Sequence, residues 1–398
     1  MYCRDERGYT LPELVVVMGI FLVIMLITSK SFERIVLQSS QQQKSIETQI
    51  EGVVGLEVLR ADLENAGFGL PWEFAATTPA VSYQEAIGDS TIPASFWPVG
   101  TDSRTFNDSP SNAPRAILSG NTTFNKDDSN LGSQYLVIKS TLAVANDTSR
   151  KWTTIAYDKD GVRTRKVWGS TDRDFASADR VVMVKNNLMA TPTSRQLVAK
   201  SSTVFSGQFS QYSSPPSAQN GDTYEIYGVN PTNDLRFPFN RADYYVTRPS
   251  TEMPLSCAPN TGILYKSTVI QGTGASAGGL TLGMPLLDCV ADMQVVYGLD
   301  TDGSGRVNLH MNAPASTASP TAADIRSQLR EVRVYILAQE GKRDRFYTYP
   351  AETVMVGESF GGTVLGRVFS LKDRIGPDYK NFRWKLYTIV VRPKNLIQ

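Results

Sequence analysis

The stretch Arg7-Gly8-Tyr9-Thr10-Leu11-Pro12-Glu13 runs straight into Leu14 to Ile27, an apolar segment with no charged residue. Glu13 is the one residue out of place for a membrane helix. A carboxylate within such a segment costs about 2.5–3.5 kcal/mol on insertion scales, so it needs a partner. If the chain is cut after Gly8, the new α-amine of Tyr9, four residues upstream, is a cation able to serve. Pro12 supports a break there. Its ring clashes with the carbonyl four residues back, that of Gly8, so a helix does not run on from the leader. With a helix starting at Tyr9, Pro12 sits in the first turn, where its missing N–H has no partner in any case. The Gly8–Tyr9 bond is left flexible and open to a protease. A secretory signal peptide would place a small-residue cleavage site after the apolar run. Leu26-Ile27-Thr28-Ser29-Lys30 offers none.

Working outward, Tyr9 to Ser29 makes roughly 30 Å of helix, enough to cross a bilayer core. Gly19 within it permits close helix approach. Beyond Lys30 the chain turns polar but keeps helical spacing. Ile46, Ile50, Val53, Leu56, Leu59, Leu63 and Ala66 recur three or four apart and form one apolar stripe. Gly67-Phe68-Gly69-Leu70-Pro71 then stops the helix. The expectation is one helix from Tyr9 to about Ala66, near 87 Å long, with Gly52 and Gly55 as weak points. Residues 72–130 read as loops. Strands are expected at Tyr135–Lys139, Arg180–Lys185, Gln196–Lys200, Thr223–Tyr227, Ala242–Val246, Gly262–Tyr265, Met293–Leu299, Leu329–Ala338, Arg345–Tyr349 and Arg383–Val391. Gln271 to Gly279 reads as an exposed loop. The chain of 398 residues carries 40 Lys plus Arg against 39 Asp plus Glu. That balance gives no sign of a nucleic-acid partner.

Gly8, Tyr9-Thr10-Leu11-Pro12-Glu13 and the apolar run resemble the class III signal of type IV pilins and type II secretion pseudopilins. Tyr9 stands where phenylalanine is commoner, and the leader, with two acids against two arginines, is less basic than usual. Leu286 to Asp300, Asp300-Thr301-Asp302-Gly303-Ser304-Gly305 and Tyr387 to Asn395 resemble the PilW family of minor pilins. The resemblance implies cleavage after Gly8 by a prepilin peptidase and methylation of Tyr9. It implies a pairing of Glu13 with a neighbouring subunit's N-terminus. It also implies an α+β fold, a long N-terminal α-helix packed on an antiparallel β-sheet, here with large β-rich and loop insertions. The expected organisation is a leader at 1–8, a transmembrane half-helix at 9–29 and an amphipathic half-helix at 30–66. A variable region at 67–281 and a pilin-like sheet region at 282–398 follow. The function implied is a minor pilin, placed at or near the pilus tip to prime assembly. It would wait in the bacterial inner membrane with its bulk periplasmic and become extracellular in the pilus. Its partners would be the peptidase, other minor and major pilins, and a tip adhesin. A J-type secretion pseudopilin and a pilin-exported, calcium-dependent adhesin are the alternatives.

Cys3 lies in the leader, which leaves Cys257 and Cys289 as an even pair facing an oxidising compartment. They read as a disulfide, against two unrelated buried thiols. No cofactor is expected. The exception is calcium, with Asp300, Asp302 and Ser304 matching the first half of a calcium loop. Position twelve of that loop is Met311, not an acid, and the competing reading is an inter-strand turn. His310 is the single histidine and is expected at the surface or packed on a strand. No nucleophile motif or phosphate-binding glycine loop is present, so the chain reads as no enzyme.

Overall fold

The computed structural model describes residues 10–74, 80–88, 102–187, 194–201, 204–211, 219–317 and 319–396. Side chains at 34, 37, 38 and 40–51 lie outside the described set, and with them Ile46 and Ile50. The expected cleavage site, Gly8 and Tyr9, lies outside it as well.

One helix runs unbroken over Leu11–Glu64, with Thr10 as its N-cap and Pro12 in its first turn. It starts two residues later than expected. Thr10 holds extended backbone angles and takes the capping position that its hydroxyl suits. At the far end the Asn65 backbone N–H and side-chain amide both donate to the Ala61 carbonyl. Gly67 then turns the chain with a φ of 82°, a conformation that a side chain disfavours.

The helix lies on an antiparallel sheet. In spatial order its strands are Arg383–Val391, Leu329–Glu340, Met284–Leu299, Gly262–Thr268, Asn240–Thr247, Gln134–Ser140 and Ile117–Asn121. The short strand Leu309–Met311 pairs with the far end of Met284–Leu299. This single sheet draws strands from both sides of residue 281. Leu56, Leu59, Leu63 and Ala66 are buried in its core, as the apolar stripe predicts. Val53 is not. It is exposed, with Val54 beside it, and Gly52 and Gly55 face the sheet in its place. A Cβ on Gly55 would sit 1.9 Å from the Leu286 carbonyl oxygen. The two glycines are therefore the points of closest approach rather than weak points. Asp62 anchors the same turn of helix. Its Oδ2 accepts from Tyr244 Oη and Lys266 Nζ, each at 2.5 Å.

The sheet's other face is covered twice. Side chains alternate across a strand, so Tyr244 faces the helix while Arg241 and Asp243 face away. There they meet segments 81–88 and 102–115. Lys139 Nζ contacts Glu85 at 2.8 Å and Asp108 at 2.5 Å. Arg241 makes a two-pronged pair with Asp243, at 2.7 and 2.8 Å, and donates to Asn107 and the Ser103 carbonyl. All five charged side chains are buried. Segments 81–88 and 102–115 are largely irregular but clamped, whereas the stretch expected as loops, 72–130, also supplies the strands Glu73–Phe74 and Ile117–Asn121. Over the C-terminal strands lies a hairpin, Thr353–Phe360 with Thr363–Ser370. Arg367 fixes it by a two-pronged pair with buried Asp292, at 2.8 and 2.6 Å. The expected strand Arg345–Tyr349 is absent. The loop at 271–279 exposes only its tip. Gln271 is buried and ties the backbones of Arg236 and Phe239.

A second sheet runs in the order Glu73–Phe74, Ser194–Leu197, Arg180–Asn187, Thr223–Asn230, Trp152–Tyr157 and Arg163–Arg165. Ser206–Gln208 pairs with Arg180–Asn187 off this path. Val182, Val184 and Val229 join the main core, while Ile155, Val181, Met183 and Ile226 build a separate cluster on the other face.

Candidate assembly site

Glu13 stands on the third residue of the helix. Its Oε2 accepts from the Thr10 backbone N–H at 3.0 Å and the Thr10 hydroxyl at 2.9 Å. The carboxylate therefore has a local use that the sequence reading did not weigh. It closes the reciprocal half of a capping box and satisfies an N–H that the helix start would leave bare. Both bonds fall on one oxygen. The helix dipole also favours a negative charge at this end.

From Leu11 to Glu33 the helix is long and apolar enough to cross a bilayer, and this window is wholly exposed in the isolated chain. Leu14, Val16, Phe21, Ile24 and Ile27 each expose more than half their surface. Thr28 returns its hydroxyl to the Ile24 carbonyl, which removes a bare donor from this stretch. Exposed apolar surface on this scale marks contact with lipid or with another chain. The helix is thus divided. One part packs on its own domain from Gly52 onward, and the Leu11–Glu33 part has no packing partner among the described residues.

Cys257 and Cys289 form a disulfide with Cα atoms 5.0 Å apart. Cys289 takes a φ of 55°, within the strand that carries the helix. The bridge ties the loop before Gly262–Thr268 to that strand. A closed loop of this size contributes about 3–4 kcal/mol in the chain-entropy picture.

Asp300, Asp302 and Ser304 do come together. Asp300 Oδ1 and Asp302 Oδ1 each accept from the Ser304 N–H at 3.0 Å, and Asp300 Oδ2 accepts from the Gly305 N–H at 2.8 Å. Arg330 Nη2 stands 3.1 Å from Asp300 Oδ2. The turn thus already holds amide donors and one fixed cation. His310 lies on Leu309–Met311, with its ring stacked on Phe360 at 3.8 Å and Nε2 3.8 Å from Glu331. Burial, with the charge of Arg333 beside it, lowers the imidazole's pKa; Glu331 and Glu358 oppose that shift.

The sequence reading missed Gly52, Gly55 and Asp62 as the residues that seat the helix. A signal was present: a pair of glycines three apart, alongside the apolar stripe.

Two family models match the chain. Residues 3–29 match the prokaryotic N-terminal methylation motif. Residues 243–395 match the type IV pilus-assembly protein W, PilW. The first covers the signal and the apolar helix start. The second covers the strands on which the upper helix lies, together with the hairpin behind them. The chain carries a class III prepilin signal and a PilW domain. No curated protein and no solved structure matches the chain.

Proposed function

We propose that this chain is a minor type IV pilin of the PilW kind, cut after Gly8, methylated at Tyr9 and built into a pilus at or near its tip. The observation that carries the reading is the division of one helix. Its Leu11–Glu33 part is exposed and apolar beneath a prepilin signal, and its upper part is locked to a large domain. Before assembly the lower part spans the inner membrane, with the domain on the periplasmic side. In the filament it packs among the helices of other pilins. A domain of this bulk suits the tip better than the shaft, where it would crowd its neighbours. There it would help to prime assembly beside other minor pilins and a tip adhesin. The role is structural and involves no catalysis and no nucleic acid.

Glu13 sets the axial register. In hydrocarbon, the bonds from Thr10 leave its negative charge without a counter-ion, and a neighbour's Tyr9 amine supplies one. Glu13→Gln keeps an oxygen that can cap Thr10 but removes the charge, whereas Glu13→Ala removes both. Both variants are expected to be cleaved and to enter filaments poorly. Normal incorporation of Glu13→Gln would reduce Glu13 to a helix cap.

A further inference from the structure

Trp72 stands beside two arginines. The Arg326 guanidinium carbon is 5.0 Å from the indole centre and that of Arg195 is 5.7 Å. Arg326 comes from the helix Ala322–Gln328, beneath the main sheet's Leu329–Glu340 strand. Arg195 comes from Ser194–Leu197, next to the edge strand of the second sheet, where its carbonyl accepts the Trp72 N–H. The cluster therefore sits on the seam between the two sheets.

The two cations are not equally served. Arg195 Nη2 contacts Glu225 and Tyr227, both at 2.6 Å, but its buried Nε–H has no partner among the described residues. Arg326 makes no ion pair with any described carboxylate. Asp324, the one acid on its helix, is committed to Thr321 at 2.8 Å. Glu73 next to Trp72 is exposed and acts on Arg326 only at longer range. The neighbouring stretches 75–79 and 188–193 contain no acidic residue at all. Burial and the like charge of Arg195, against the pull of Glu73, bring the Arg326 pKa down to about 10. A partly buried guanidinium keeps its charge there, and an unpaired charge in such a place is costly.

We infer that Arg326, Arg195 and Trp72 form a binding site for an oxyanion, a phosphate or a carboxylate. Arg326 supplies a planar fork of donors suited to two oxygens at once. Arg195, held by Glu225 and Tyr227, adds positive charge beside it. Trp72 lies within cation–π reach of both guanidinium groups. The bound anion removes the repulsion between the two arginines.

The test uses the full chain in detergent, titrated with sodium phosphate and separately with sodium acetate. Sodium chloride holds the ionic strength constant. Trp72 emission is isolated as the difference from Trp72→Phe. A saturable change is expected with at least one probe, together with a rise in melting temperature. Arg326→Gln should weaken it on the order of tenfold to a hundredfold. Arg326→Lys keeps the charge but loses the fork, and should fall between. Phosphate alone saturating assigns the site to a phosphate group, and acetate saturating assigns it to a carboxylate of a partner chain. A response that does not saturate, that survives in Trp72→Phe or that is unchanged in Arg326→Gln overturns the site. Removing an unpaired charge should not unfold the chain, and the melting curve of Arg326→Gln checks this directly.

Discussion

His310 and Asp300 show how single residues spend their chemistry. His310 is the only histidine, so it dominates side-chain titration near its ordinary pKa of 6.5. Its folded pKa lies below that value. As pH falls through the window beneath 6.5, the unfolded chain takes up a proton that the folded chain resists. Stability is therefore complete above the unfolded pKa and declines as pH falls through that window. His310→Phe keeps a ring against Phe360 and should flatten the decline; an equal slope in both proteins would show that other groups carry it. Asp300 has an internal cation in Arg330 and amide donors from Ser304 and Gly305, so we propose that its turn needs no ion. Calcium should leave the melting temperature of the full chain unchanged, and Asp300→Asn should lower it without calcium. A calcium-dependent rise would instead assign the ion to Asp300, Asp302 and Ser304. The sequence placed these residues in one turn, because their oxygens and glycines are local. It did not reveal Arg330, which arrives from another strand.

At the scale of elements, the helix seat decides the most. Replacing a helical glycine by alanine ordinarily gains about 1 kcal/mol. At Gly55 the new Cβ would lie 1.9 Å from a backbone oxygen of the strand beneath, and overpacking costs about 1–3 kcal/mol or more. The clash wins, so Gly55→Ala should lower the melting temperature, while Gly19→Ala, with nothing within 4 Å, should not. If Gly55→Ala melts higher than the parent, the helix does not rest on Leu286. The long helix and most central strands were legible because their periodicities are long and regular. The hairpin over 353–370 left a weaker trace: Gly361-Gly362 is a two-residue hairpin turn, but Thr353 to Phe360 groups Val354-Met355-Val356 rather than alternating. Both glycines have positive φ. The network of Glu85, Asp108, Lys139, Arg241 and Asp243 left no such trace. Apart from Arg241 and Asp243 its members are far apart in sequence, and each reads alone as a surface charge. Such a network adds little net stability when whole, but loss of one member strands a buried charge.

Across the whole molecule, one antiparallel sheet holds a helix on one face and two unrelated covers on the other, with the second sheet set against the same core. Strands at 117–121, 134–140, 240–247 and 262–268 pair with those beyond 281, so the middle of the chain and its end fold as one body around the helix. Periodicity finds strands but not their neighbours, which is why the shared sheet was not visible in the sequence. The closing residues return to the helix end. The Lys394 N–H donates to the Glu64 carbonyl at 3.1 Å, and Lys394 Nζ pairs with Glu64 at 2.7 Å. This arrangement leaves Leu11–Glu33 as the one long apolar surface without a partner of its own among the described residues. We propose that a filament covers it. Mass spectrometry of sheared surface filaments, beside the remaining envelope, checks this. The expected result is a peptide beginning at methylated Tyr9 in the sheared fraction. An intact leader in every fraction, or the cut peptide confined to the envelope, would contradict it.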